Sequence, residues 1–380
     1  MKCFEAARIY FAGKGILSGS VSFGERIERT DIADGERIEL PSDCVVLPAF
    51  IDEHVHGCGG ADAMDGTVEA LEIISETLAK EGTARFSATT MTASEQATLA
   101  AVRAVKEYRR IRGAADSAVI GAHLEGPFIS DKHIGAQPKE FVKLPDKKFF
   151  DALRKESGDN IRMITLAPEI ADADALIKHI SECGVTVSAG HTDATYADIE
   201  RARKCGLSCV THTYNAQRGI HHREIGTAGA ALCDDGLYAE IIADGIHVSG
   251  AAIGLLLKNK PHDKPVLITD AMRAKGCADG VSELGGQTVY VKNGEARLAD
   301  GTLAGSVLKM NDAVRFVVRS LGSGLCDAVD LATANPAKNL GIYGEYGSIE
   351  VGKYADFVVL DSMLDVVMTV RGGKIVFSRG

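Results

Sequence analysis

Two kinds of apolar patterning divide the chain. Near the start, FEAARIYFAG, GILSGSVSFG, RIERTDI and ERIELPSD alternate apolar and polar positions between Gly-rich turns, the two-residue period of half-buried strands. The end repeats this in GSIEVGKYADFVVLD and VVMTVRGGKIVFSRG. Neither stretch is long enough for a stable sheet alone. The pattern therefore predicts that both chain ends pair into one small β-sandwich.

Between them the pattern changes. Continuous apolar, β-rich runs recur: VVLPAFID from Val45, ARFSATT from Ala84, AVIGAHLE from Ala118, RMITLAPE from Arg162, VTVSAGH from Val185, LSCVTH from Leu207, YAEIIADG from Tyr238 and PVLITD from Pro265. Amphipathic stretches with helical period lie between most of them, such as TVEALEIISETLAKEG, SEQATLAAVRAVKEYRR, ADALIKHISECG and YADIERARKCG. Strands that do not alternate are those of a parallel sheet buried on both faces. Eight of them with crossover helices predict an α/β fold, a TIM-like (β/α)8 barrel. The expected domains are a small β-sandwich from residues 1–47 and 340–380, and a catalytic barrel over 48–339. After the eighth run, GCADGVSELGGQTVYVKNGEARLADGTLAGS reads as an inserted hairpin with a Gly-rich return.

Composition adds mainly exclusions. The net charge of −10, from 42 basic and 52 acidic residues, argues against a general nucleic-acid surface. The first residues lack the basic head and long apolar run of a secretory signal, and no apolar segment reaches membrane-span length. Nine scattered cysteines fit reduced thiols in a cytoplasmic protein better than a disulfide framework.

The candidate chemistry sits where the runs end. The first leads into Asp52, His54 and His56, the third into Glu125, the fifth into His191 and the sixth into His212; the seventh leads to Asp244 and His247, the eighth to Asp270. In a barrel these C-terminal strand ends share one mouth. Imidazole and carboxylate together bind Zn²⁺ and similar ions. His54 and His56, two apart on a strand, point the same way and can chelate one ion. An isolated His-x-His means little; the same chemistry at six strand ends predicts a metal site. His123 precedes Glu125 by two and reads as a supporting residue. His133, His179 and His262 read as surface or helix residues. A cationic loop holding His221, His222 and Arg223 follows the sixth strand and suits an anion such as phosphate.

At these motifs the sequence resembles the N-acetylglucosamine-6-phosphate deacetylase family of the amidohydrolases. PAFIDEHVHGCGG, GAHLEGPFIS, SAGHTDA, THTYNA, HHRE, ADGIHV, LITDAM and LAGS occur in family order from Pro48 to Ser306. The resemblance implies that Glu125, His191 and His212 hold a primary divalent metal, Zn²⁺ or Fe²⁺. It implies that His54 and His56 permit a second ion. Asp270 would be the general acid/base for hydrolysis of a phosphosugar's N-acetyl group by metal-activated water. Asn215, Ala216 and Arg223 would contact substrate, largely around the phosphate. Asp244, His247, Leu303, Ala304 and Gly305 would line the pocket. A homodimer is implied, with Arg223 or His247 shared across the interface. Two departures bear on substrate identity. The family's usual His after GPF is Gln137 here, following Ala136, and its YNAM is YNA-Gln217. A galactosamine isomer is the alternative. Cyclic-imide and dipeptide hydrolases, which often bridge two metals with a fourth-strand Lys, fit less well because RMITLAPEI has none. A catalytically dead barrel would be expected to lack Asp270 or a ligand.

Overall fold

A computed structural model of the chain describes residues 1–379. The eight apolar runs form parallel strands: β1 (Phe50–Val55), β2 (Thr83–Thr90), β3 (Val119–Glu125), β4 (Ile161–Leu166), β5 (Thr186–Ala189), β6 (Leu207–Val210), β7 (Tyr238–Ile242) and β8 (Pro265–Ile268). They pair in sequence order. Closure from β8 back to β1 comes just past the strand ends. Ala271 bridges Val55, and the Asp270 N–H donates to the His54 carbonyl at 2.9 Å. Every residue of β1, β2 and β3 is buried, which is why these runs show no alternation.

Several crossover helices begin at side-chain caps. Thr67 accepts from the Ala70 N–H ahead of Val68–Ala79, and Ser94 from Ala97 ahead of Glu95–Asp116. Thr195 and Asp198 form a capping box ahead of Tyr196–Cys205. That last helix stops at Gly206, whose φ of 113° is open to glycine at no steric cost. Leu71, Ile74, Val102, Val105 and Ile199 bury the inner helix faces in the main apolar core.

The run VVLPAFID divides between two sheets. Val45–Pro48 pairs antiparallel with Phe357–Leu360, whereas Phe50 starts the barrel. Pro48 has no N–H to extend a ladder, and the uniformly apolar sequence hides the change of sheet. Around Val45–Pro48 runs the terminal sheet, in the order Lys374–Ser378, Val366–Arg371, Phe357–Leu360, Val45–Pro48, Lys2–Phe11, Gly15–Phe23, Ile27–Arg29. It encloses its own core, in which the Phe4, Phe23 and Phe357 rings lie 4.9–5.4 Å apart.

A buried ion pair ties this sheet to the barrel. Arg85, on β2, donates from Nε and Nη2 to Asp356 at 2.7 and 2.9 Å, and also to the carbonyls of Ala114, Ala115 and Ser117. Its guanidinium lies 4.7 Å from the Tyr346 ring centre. Asp356→Ala would strand this cation in a dry setting, and is expected to cost about 3–5 kcal/mol in urea unfolding. A loss under about 1 kcal/mol, the scale of a surface pair, would contradict the buried role.

The insertion after β8 is a three-stranded antiparallel sheet, Gly280–Leu284, Gln287–Lys292 and Glu295–Arg297. Its return reaches Ser306, whose N–H donates to the Asp270 carbonyl at 2.7 Å. Among the described residues, no helix is long and apolar enough to cross a membrane.

Candidate active site

The strand ends deliver their polar side chains to one place. Glu125, the last residue of β3, lies at the centre. Its Oε1 is 3.2 Å from His191 Nε2, 3.1 Å from His212 Nε2 and 3.4 Å from His54 Nε2. Its Oε2 is 3.3 Å from His56 Nε2 and accepts from Gln137 Nε2 at 2.5 Å. Asp270 Oδ1 lies 3.5 Å from His54 Nε2 and 3.3 Å from His56 Nε2. Two ligand groups result, Glu125–His191–His212 and His54–His56–Asp270, each with its donor atoms within 4.8 Å of one another.

The far nitrogens of the four imidazoles decide whether a cation fits. Nδ1 of His56, His191 and His212 meets the carbonyls of Thr89, His133 and Asn215 at 3.3, 2.9 and 3.1 Å. A carbonyl only accepts, so each Nδ1 carries a hydrogen, and in the neutral ring each Nε2 turns its lone pair inward. His54 Nδ1 faces Glu240 at 3.1 Å, while its buried Nε2 has no hydrogen-bond partner. Four Nε2 atoms converging on buried Glu125 and part-buried Asp270 call for positive charge, from a proton or from a metal ion. This is the orientation that outer partners impose on metal-ligating histidines.

The electrostatics agree. Burial raises the Glu125 carboxyl, but His191 and His54 outweigh it and hold Glu125 well below the ordinary range. Asp270 is likewise lowered, with burial overcome by His54 and His56. Burial disfavours charged His56, yet Asp270 and Glu125 carry its value up to about 10. His54 also sits well above the ordinary value, burial being outweighed by Glu240 and Glu125. Without a metal, then, protons hold part of the site. An entering ion must displace them, so metal affinity of the stripped protein is expected to rise with pH through the neutral range. Competition against a chromophoric chelator measures this; a pH-independent affinity would contradict it.

Backbone strain collects at the same residues. His191, His212, Ala216 and Asp270 have φ of 47°, 28°, 46° and 49°, a region that side-chain-bearing residues enter rarely and mostly at functional sites.

Above this ring lies a cavity of about 220 Å³. Its lining includes the expected Ala136, Gln137, Asn215, Ala216, His247, Leu303 and Gly305, together with His56, Glu125, His191, His212 and Asp270. Four expected residues are elsewhere. His54 belongs to the ring but is fully buried and does not reach the cavity. Ala304 is turned into the apolar cluster under the insertion. Asp244 acts one step back, its Oδ2 holding His247 Nδ1 at 2.6 Å. Arg223 is exposed, 2.9 Å from His222 Nε2. His123 supports the site: its Nε2 bonds Thr165 Oγ1 at 2.8 Å and its ring meets His54 edge-on at 4.6 Å.

Some participants were not read from the sequence. Met91, Gly135, Leu284 and Thr302 also line the cavity; Met91 and Leu284 are apolar and carry no chemical signature. The His133 carbonyl orients His191, a backbone role that no side chain announces. Glu240 did carry a signal, a carboxylate inside the otherwise apolar YAEII of β7.

The geometry agrees with known proteins. A profile described as "Amidohydrolase family" matches residues 45–376. N-acetylglucosamine-6-phosphate deacetylase of Bacillus subtilis (strain 168) is 43% identical over 368 residues, 96% of this chain and 92% of that protein. N-acetylgalactosamine-6-phosphate deacetylase of Escherichia coli O157:H7 is 38% identical, covering 85% of each chain. Among solved structures, a mutant N-acetyl-D-glucosamine-6-phosphate deacetylase of Mycobacterium smegmatis, in complex with N-acetyl-D-glucosamine-6-phosphate, superposes with a TM-score of 0.92 at 30% identity and 99% coverage of both chains. The motifs, the barrel and these relatives agree, and the chain belongs to the N-acetylglucosamine-6-phosphate deacetylase family of the amidohydrolases.

Proposed function

We propose that the protein hydrolyses N-acetylglucosamine 6-phosphate to glucosamine 6-phosphate and acetate. The observation that carries this reading is Asp270, a part-buried carboxylate that opens onto the cavity beside the Glu125–His191–His212 group. Glu125, His191 and His212 would hold a primary divalent ion, with His54 and His56 available to a second. Their mixed N/O donor set suits Zn²⁺ foremost and Fe²⁺ as well. Such an ion polarises a carbonyl oxygen and acidifies water.

The chain's own residues do the rest. Asp270 takes a proton from the attacking water and then delivers it to the departing nitrogen, which leaves only when protonated. His247 has its Nδ1 occupied by Asp244, and its buried Nε2 has no protein partner; it faces the sugar. Asn215, Ala216 and Arg223 bind the phosphate, and that remote binding positions the amide. Arg223 lies outside the single-chain cavity, which supports a homodimer in which it serves the neighbouring copy's site. A charged phosphosugar does not cross a bilayer unaided, so we assign the enzyme to the cytoplasm.

Gln137 sustains a second reading. Its side chain is already committed, Oε1 to the Thr92 N–H at 2.8 Å and Nε2 to Glu125. That leaves one Nε2 hydrogen and one Oε1 lone pair at a cavity position where the family usually has His, and the galactosamine isomer is the competing substrate, as the Escherichia coli relative's name suggests for that protein. Steady-state kinetics on both 6-phosphates and on unphosphorylated N-acetylglucosamine, with metal content measured on the same sample, tests both readings. The glucosamine derivative is expected to have the highest kcat/KM, and loss of the phosphate should cost ~100-fold or more. Hydrolysis of dipeptides or cyclic imides without activity on any phosphosugar would reject the proposal.

A further inference from the structure

The inserted sheet after β8 bears on which acyl group is removed. In its first strand, Gly280–Leu284, only the last residue is buried. That residue, Leu284, is 2% exposed and lines the cavity with Met91, which is 3% exposed and follows β2. The turn beyond it is seated tightly. A Cβ on Gly285 (φ 57°) would lie 3.1 Å from Met91 Cε and 3.2 Å from Pro138 Cγ. Gln287 then donates to the Ala136 carbonyl at 2.7 Å. The hairpin tip is thus pinned against the loops after β2 and β3.

Substrate chemistry gives this wall a use. The scissile carbonyl must reach Glu125 and Asp270, and the phosphate belongs with Asn215 and Ala216. The acyl substituent carries no polar atom beyond its carbonyl, so it belongs against apolar surface. We propose that Met91 and the hairpin-tip Leu284 form the acyl wall and select short acyl groups over longer ones. The inference rests on the deacetylase reading above. The reaction is unchanged for every acyl group: the acyl C–N bond breaks, water oxygen bonds the acyl carbon, and the nitrogen gains a proton.

The test uses metal-loaded enzyme and the N-formyl, N-acetyl, N-propionyl and N-butyryl derivatives of glucosamine 6-phosphate. The wild type is expected to prefer formyl and acetyl. In Leu284→Ala and in Met91→Ala the propionyl-to-acetyl ratio of kcat/KM is expected to rise ~10-fold or more, the scale of one methylene in an apolar pocket. Leu284→Phe should shift preference toward formyl. Because each readout is a ratio within one protein, loss of overall activity does not imitate it. Unchanged ratios in all three variants, with wild-type metal content and Tm, would overturn the proposal, as would a wild type that accepts butyryl as readily as acetyl. A wild type inactive on all four compounds would instead reject the deacetylase reading itself.

Discussion

Asp270→Asn is expected to fold normally, keep the metal proposed for Glu125–His191–His212 and lose ~10²- to 10⁴-fold in turnover, the usual scale for a missing general acid/base. Position and charge separate cleanly at this residue. Its backbone is fixed from both sides, the N–H donating to His54 and the carbonyl accepting from Ser306. Asparagine has the same shape, so the strained φ of 49° and the barrel closure at Ala271 should persist. What disappears is the proton-accepting oxygen next to His56. Its lowered pKa keeps it ionised, ready to accept, throughout the neutral range. In the proposed mechanism the protonated form would arise only after water has given up its hydrogen, which would tie proton delivery to the attack. Metal analysis beside kcat separates the two losses: metal retained with turnover gone assigns the proton step to Asp270. Near-normal turnover in Asp270→Asn would remove the residue from that role.

The sequence exposed this site because the fold penalises such residues. A carboxylate or imidazole at the end of a strand buried on both faces needs a partner or an ion to offset desolvation. Glu125 and His191 therefore stand out after apolar runs. The same logic made the eight strands legible, since unbroken apolar stretches bounded by helical periodicity have few other uses. It failed where the signal was uniform or absent. VVLPAFID conceals a change of sheet, with only Pro48 to mark it. Met91 and Leu284 look like any core residue until the hairpin is folded over the mouth. The hydrogens on Nδ1 of His56, His191 and His212 are set by backbone carbonyls, which every residue carries. Arg223 shows the converse: its motif was plain, but its exposed position became visible only in three dimensions.

Glu125→Gln is expected to abolish tight metal binding, and with it turnover. Glu125 touches every imidazole in the ring, at 3.1 to 3.4 Å, and is the sole carboxylate on the His191–His212 side. Replacing it with an amide preserves volume and removes the negative charge against which an ion would be held. The consequence can be read without any substrate. A ligand that binds only the folded state stabilises it by RT ln(1 + [L]/Kd), about 2.7 kcal/mol at 100 times Kd. Adding Zn²⁺ to stripped wild-type protein should therefore raise Tm, whereas the variant's Tm should not respond over the same range. Two outcomes would count against the central place given to Glu125. One is stoichiometric, dialysis-resistant metal in the variant. The other is a metal-dependent Tm rise equal to that of the wild type, which would mean that His54, His56 and Asp270 hold the tighter ion and that the primary site has been assigned to the wrong half of the ring.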